Sequence, residues 1–461
     1  MDLLRRTTRH ALSNAAQSHP GAQPAENPLS LGVIFLTLYL DLVGFSIIFP
    51  LYPEMLTYYL ELDGNSGLLA GLLGFLDRLS TAAGTGGHFT PVLFGGVLGS
   101  LYAFLQFAFS PFWGALSDRF GRRSILLLTV SGTALSYLIW IFSGNFLLLV
   151  LARLCGGLMS GNISVATAAV ADVTSRADRA KGMGLIGAAF GLGFVTGPAI
   201  GGVFSLVNPL DHFPQLASLG VNPFSGAATV AFLLACLNLF WIWRRFSESL
   251  PPERRSTASI ASRNPIALLL ARHEPPVRRT NHVYFLFIFA FAGMEFTLSF
   301  LAVSRFDFST VQITGMMVYV GLILIITQGL IVRRAAPKVG ERRMAITGLA
   351  LVMAAFVILG LAPSPTLLYV GLTVMGLGSG LTTPSLTALV SLYTNASHQG
   401  RVLGTFRSLG SLGRATGPII ASFVFWWFGS NWSYLLGAAL LVPSFLTALL
   451  LTEPSKSEDG S

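Results

Sequence analysis

The chain has 461 residues, of which 53% are hydrophobic and 11% charged, with 29 Lys and Arg set against 20 Asp and Glu. Soluble globular domains carry about 25% charged residues, so this composition excludes an ordinary soluble protein, and a mean hydropathy of +0.68 puts most of the chain in lipid. The net charge of +9 does not point to a nucleic-acid partner, because the basic residues form short groups between long apolar runs and not one exposed cluster.

Residues 1–30 are polar, carry Arg5, Arg6 and Arg9, and show no apolar core of a signal peptide, so they read as a cytoplasmic tail. A helix needs about 20 apolar residues to cross the hydrocarbon core, and only helices or closed barrels satisfy their backbone there. The apolar runs have helical length and lack the alternation of barrel strands. Twelve spans are predicted, at 31–53, 91–116, 124–143, 146–172, 181–207, 224–244, 282–303, 311–333, 344–362, 365–392, 401–428 and 432–452. The fold class is therefore an all-α membrane protein of two six-helix halves, 31–244 and 281–452, with a C-terminal tail at 453–461.

Two connections are long and hydrophilic. Within 58–90, the stretch from Gly67 to Ser80 is apolar on one face and holds Asp77 and Arg78, as in a short interfacial helix. Residues 245–280, with Arg244 just before them, carry eight Arg against Glu248, Glu253 and Glu274 and read as a flexible cytoplasmic linker near an anionic leaflet. Counted by loop, 24 of the 29 basic residues lie in the tails and in the connections 2–3, 4–5, 6–7, 8–9 and 10–11. The opposite loops hold Arg78 and Arg305. The positive-inside rule then makes both termini and the central loop cytoplasmic, and a plasma (inner) membrane is the expected site. Cys155 and Cys236 fall in apolar runs, so no disulfide framework, metal site or cofactor is expected.

The two halves repeat. Lys181, Gly184, Gly197 and Pro198 match Arg401, Gly404, Gly417 and Pro418 at a constant offset of 220, and Gly121, Arg122 and Arg123 echo Gly340, Glu341 and Arg342. Weak internal symmetry of this kind is a mark of transporter folds.

The most specific segment is Gly114-Ala-Leu-Ser-Asp118-Arg119-Phe-Gly121-Arg122-Arg123. Gly114 permits close approach of span 2 to a neighbour and Gly121 the tight turn into span 3. Asp118 suits a helix N-terminus, and Arg119, Arg122 and Arg123 suit carboxylates or lipid phosphates. This segment resembles the signature between helices 2 and 3 of the major facilitator superfamily. The resemblance implies a latch on the cytoplasmic side of the outward-facing state, with the start of span 11 near Arg401 and the acid Asp172 as partners.

Three more matches narrow the resemblance. Gly44, Pro50 and Pro53 in span 1, and Arg153 with Gly156-Gly157 and Ser160-Gly161-Asn162 in span 4, resemble the motifs of drug exporters. Gly187, Gly197, Pro198, Gly201 and Gly202 in span 5 resemble the motif of the antiporter branch. A Gly-Pro pair in a span makes a bend and a small-residue groove, where helices can roll past one another. The whole chain resembles the twelve-helix tetracycline exporters, through Leu40-Asp41-Leu-Val-Gly44 and the stretch from Leu101 to Arg123. Glu295-Phe-Thr-Leu-Ser-Phe and Gly404-Thr-Phe-Arg407 through Arg414 resemble animal members of this branch, which the resemblance associates with organic anion efflux. No acid lies mid-way in span 9, where the tetracycline exporters carry one.

A charge inside the bilayer costs several kcal/mol and marks a functional site by default. Asp41, Arg153, Glu295, Arg407 and Arg414 are such charges. At 1.5 Å per residue Asp41 and Glu295 both come near the midplane, in spans 1 and 7, and Arg407 and Arg414 share a face of span 11. They are expected to bind substrate in one cavity together with Gln106. Tyr39, Phe107, Tyr284 and Tyr319 are candidate lining groups, and Gln328 is a weaker polar one. Either acid is the expected exchangeable proton site, because burial strengthens a carboxylate's hold on a proton and a neighbouring arginine weakens it. The alternative for these charges is fixed ion pairs that never titrate.

The leading reading is a monomeric, proton-coupled antiporter exporting amphiphilic organic molecules, with small-molecule substrate, protons and membrane lipids as its partners. A symporter importing an anion and a transport-inactive receptor or scaffold are the alternatives. No G-x4-G-K-[ST] phosphate loop is present for a primary pump, and no H-E-x-x-H for an intramembrane hydrolase.

Overall fold

A computed structural model describes residues 29–64, 67–82, 87–174, 179–255, 274–394 and 399–453. The N-terminal tail to residue 28, most of the linker at 256–273 and the C-terminal tail from 454 lie outside the described residues.

Span 1 comprises α1 (Leu31–Ser46) and α2 (Tyr52–Asp63), joined by a 3-10 turn at Phe49–Leu51. Pro50 and Pro53 remove backbone donors at this junction, yet the chain goes on as helix to Asp63, ten residues past the expected end at 53. The predicted interfacial helix is α3 (Gly67–Ala82); Leu72, Phe75 and Leu79 are exposed along one flank while Leu69 and Ser80 are buried. Span 2 is α4 (Pro91–Phe120) and span 3 is α5 (Arg122–Ile141). Span 4 is divided into α6 (Phe146–Met159) and α7 (Asn162–Val173), and α8 (Arg179–Phe204) and α9 (Ser225–Arg245) complete the first half.

The second half starts with α10 (Pro275–Phe306). Span 8 is α11 (Thr310–Ile326), a π turn at Thr327–Val332 and α12 (Arg333–Val339). Spans 9 to 12 are α13 (Glu341–Leu361), α14 (Pro365–Leu392), α15 (Gln399–Phe428) and α16 (Ser430–Leu449). Helix starts are set by local chemistry: the Asn145 side chain accepts from Leu148 N–H, and Ser309 with Gln312 forms a reciprocal capping box.

Eleven segments among the described residues are long and apolar enough to cross a membrane. The remaining predicted span, α15, has 30 residues. Its Arg407, Arg414 and Gly-Pro pair dilute its apolar character, which is the chemical signature of a helix facing water inside the bundle.

Within each half, glycine brings one helix pair to backbone contact. A side chain at Gly193 of α8 would meet Leu42 of α1 at 2.7 Å; at Gly197 it would strike Ser46 and the Val43 carbonyl, and at Gly201 the Ile47 carbonyl. The closeness lets Ser46 Oγ donate across to the Gly193 carbonyl at 3.0 Å. In the second half Gly417 of α15 abuts the Phe289 carbonyl of α10, and a side chain at Gly293 would sit 2.9 Å from the Gly417 carbonyl. Gly197 and Gly417, paired by the sequence repeat, thus occupy the same kind of contact. Lipid gives no hydrophobic drive between helices, so such close packing is what holds them.

Overpacking a tight contact costs about 1–3 kcal/mol. Gly201→Val is therefore expected to lower the melting temperature of the purified protein, whereas Gly187→Ala, with no atom within 4 Å of the added carbon, should leave it unchanged. Equal melting temperatures for the two variants would contradict the packing described.

Candidate functional site

A cavity of about 530 Å³ lies between the halves. Asp41 of α1, Gln106 of α4, Arg153 of α6, Glu295 of α10, and Arg407 and Arg414 of α15 all line it, so the six residues expected to meet substrate are brought together. Gly187, Pro198 and Pro418 line it too. Of the aromatic candidates, Tyr284 reaches the cavity and stacks on Phe406 with ring centroids 3.7 Å apart. Tyr39, Phe107, Tyr319 and Gln328 are not among the lining residues.

The break in span 4 positions the first-half groups. Helical structure stops at Met159 and restarts at Asn162, leaving carbonyls unsatisfied; one of them, on Leu158, accepts from the Trp113 indole at 2.7 Å. Asn162, released from the helix interior, donates through Nδ2 to Asp41 Oδ1 at 2.7 Å. Arg153 is 8% exposed and lies over the Tyr102 ring at 4.4 Å, with Phe45 and Tyr52 each 6.0 Å away. Its Nε has no hydrogen-bond partner. Aromatic faces thus stabilise this guanidinium, instead of the carboxylate of a fixed ion pair. Residue type alone does not mark Tyr102 and Asn162 as site residues; the Gly-flanked Ser160-Gly161-Asn162 step is the signal that marks the break.

The second-half groups are arranged differently. Glu295 and Arg414 are both exposed to the cavity, and Arg414 acts on Glu295 electrostatically, yet among the described residues no ion pair within 4.0 Å joins them. Enclosure by the bundle makes this charge–charge term stronger than it would be in bulk water. The walls between these groups are aromatic: Phe45 packs on Tyr102 at 5.0 Å and on Phe49 at 5.3 Å, and Tyr52 meets Phe296 of the other half at 5.4 Å. A chamber with charged walls at both sides and rings between them suits an amphiphile.

The halves are joined at the end remote from the basic loops. A side chain at Gly95 or Gly99 of α4 would meet Phe300 or Phe296 of α10 at 2.7 Å, and Gly96 abuts Ser422 of α15. His88 N–H donates to the Trp426 carbonyl at 2.8 Å, and the Thr310 hydroxyl donates to the Glu54 carboxylate.

At the basic-loop end, the signature segment forms a compact charge cluster. Gly121 has φ +98°, the left-handed region that glycine alone adopts freely, and turns α4 into α5. Arg122 is 5% exposed; it contacts Asp118 at 2.5 Å, Asp172 at 2.9 Å and Ser117 Oγ at 2.7 Å. Asp172, at the end of α7, is thus in contact with the signature segment. The linker joins this cluster, with no motif to mark it: Glu248 accepts from the backbone N–H of Arg122 at 2.7 Å and of Arg123 at 3.2 Å, and Ser249 donates to Asp172 at 3.1 Å. Arg123 donates to the Trp243 carbonyl, Gly114 accepts from Ser117 Oγ, and Arg119 is exposed over the Phe120 ring. The side chain of Arg401, the other expected partner, lies outside the described residues.

Two helical halves of apolar, membrane-length helices enclosing a charge-bearing chamber define a multi-pass membrane transporter. The chain belongs to the Major Facilitator Superfamily, whose profile it matches over residues 34–339 and 329–461. It is 35% identical over 456 residues to human major facilitator superfamily domain-containing protein 10, covering 94% of this chain and 95% of the human one. It is 28% identical over 415 residues to the class C tetracycline resistance protein of Escherichia coli, covering 89% of this chain and 94% of that protein. The crystal structure described as the human organic anion transporter MFSD10 (TETRAN) matches with a TM-score of 0.72 at 35% identity, covering 92% of this chain and 100% of that one.

Removing one member of a buried ion cluster strands the others, at a cost of about 3 kcal/mol. Arg122→Ala is expected to lower thermal stability by that order, and Arg119→Ala, at an exposed position, to change it little. A melting experiment in which the two variants match would contradict the cluster.

Proposed function

We propose that the protein is a proton-coupled antiporter that exports amphiphilic organic anions by alternating access. It acts as a monomer in the plasma membrane, with both termini cytoplasmic. The observation that carries this reading is the cavity in which Glu295 and Arg414 face the interior without pairing directly. A guanidinium whose charge is not consumed by an acid is free to take a substrate anion, and an acid beside it then feels that anion arrive. Bound anion weakens the hold of Arg414 on the ionised Glu295 and favours its protonation, so at this pair alone anion and proton would bind together as in a symporter; exchange requires that substrate and the proton on Asp41 exclude one another in the same chamber. Asp41, hydrogen-bonded to Asn162, is the second acid of the exchange.

Export and anion preference draw support from the relatives. One is described as an organic anion transporter and others as tetracycline resistance proteins. The joined end remote from the basic loops corresponds to an inward-open state, in which substrate enters from the cytoplasm. The charge cluster around Arg122 would gate that side, and the Gly-Pro steps at 197–198 and 417–418 serve the helix pairs that move with it.

In proteoliposomes an imposed pH gradient should drive flux, and Asp41→Asn or Glu295→Gln should abolish the drive while substrate counterflow persists. Gradient-driven transport undiminished in both variants would sink the coupling assignment. Arg414→Ala should raise KM about tenfold for anionic substrates, the loss of a charge-assisted hydrogen bond of about 1.5 kcal/mol, and leave neutral ones nearly unaffected. An equal rise for both classes would make the arginine structural.

A further inference from the structure

The turn between the second and third spans is built twice, with different charges. Gly121 has φ +98° and ψ 152°, and Gly340 has φ +83° and ψ 151°; each ends one long helix and starts the next. In register with Gly121 and Gly340, Asp118 corresponds to Pro337 and Asp172 to Ser391, so the second half lacks both acids that bind Arg122. Only the acid after the last span is kept in kind: Glu248 caps α5, and Glu453 pairs with Arg342 at 3.5 Å.

The consequence is an unbalanced surface. Arg342 is engaged, donating to the carbonyls of Leu451 at 2.6 Å and Leu449 at 2.9 Å. Arg333, Arg334, Lys338 and Arg343 are exposed, and among the described residues none of them has an ion pair. The linker segment 256–273 contains no Asp or Glu to neutralise them. Apolar side chains are exposed among these cations: Leu330 at 48% and Val339 at 43%. Arg334 and Lys338 are one turn apart on α12. Exposed apolar and cationic groups side by side along the π turn and α12 are matched at the boundary between acyl chains and headgroups, and poorly matched in bulk water.

We propose that α12, with Arg343 at the start of α13, is a binding surface for the headgroups of anionic phospholipids in the leaflet on the basic-loop side. The phosphate supplies the acid that the first half provides from Asp118 and Asp172. This goes beyond a role in topology, which needs positive charge in the loop but no particular exposure at lipid level.

The test uses the full purified chain in detergent, with retention of phosphatidylserine against phosphatidylcholine read by native mass spectrometry. Wild type should retain phosphatidylserine preferentially. At about fivefold per basic residue near a charged surface, Arg334→Gln with Lys338→Gln should weaken retention about 25-fold, and adding Arg333→Gln and Arg343→Gln should weaken it further. Arg244→Gln with Arg245→Gln, exposed cations at the end of α9, should have little effect. Equal loss in that control, or full retention in the fourfold variant, would overturn the proposal. Inorganic phosphate competing as well as the lipid would replace a leaflet surface by a free-anion site. Phosphatidylserine binding that appears only when the chain is truncated after Glu453 would make its own tail, with Glu458 and Asp459, the occupant instead. Circular dichroism and a monodisperse elution profile confirm folding of each variant.

Discussion

A charge in hydrocarbon has nowhere to go, and the arrangement of this molecule follows from that. Asp41, Arg153, Glu295, Arg407 and Arg414 come from four different helices, yet all five line one chamber between the halves. Turning any of these helices by half a revolution would put a charge against lipid at a cost of several kcal/mol. The charges therefore fix the rotational setting of α1, α6, α10 and α15, and with it which faces are left to pack. They are stabilised by unlike means: an amide at Asp41, aromatic faces at Arg153, and the mutual field of groups across the chamber at Glu295.

The faces between neighbouring helices of one half, beside the chamber, are relieved of side chains. Where α8 meets α1, and α15 meets α10, glycine allows carbonyl and amide groups of one backbone to touch the other. In water such contacts would be weak competitors of solvent, but between helices in lipid they are the main source of cohesion. Charge thus orients the helices and glycine seats them.

Much of this was legible in the chain because it depends on residue type at a fixed spacing. A spacing of seven positions from Arg407 to Arg414 is two turns, and a Gly-Pro step repeated at an offset of 220 is a repeated fold. Eleven of the twelve spans satisfy length and apolarity alone. What stayed hidden depends on partners distant in sequence. The interruption at Ser160–Gly161 is stable because Trp113, 45 residues earlier, takes up the Leu158 carbonyl, and span 1 runs on to Asp63 through two prolines because tertiary packing overrides local propensity. Glu248 read as one acid in a basic linker, whereas its bonds to the start of α5 bridge more than 120 residues. The charged cavity residues were found as a set since lipid penalises each of them; Tyr102 and Asn162 were not, as polar or aromatic residues in a bundle are common and only geometry distinguishes them.

The contrast between contacts inside each half and contacts across the halves has a mechanical consequence. Inside, backbone rests on backbone, and no rotamer change can relieve or loosen it. Across, Gly95 and Gly99 face the tips of Phe300 and Phe296, which can turn away, and of these three neighbouring glycines Gly96 alone comes near a backbone carbonyl, that of Pro418 at 3.0 Å. The molecule is thus stiff in its parts and compliant at its seam, so thermal motion concentrates in the relative tilt of two nearly rigid bodies. Such a body moves its whole charged wall at once: a shift at the seam of a few ångströms carries Glu295, Arg407 and Arg414 together, with their mutual distances kept.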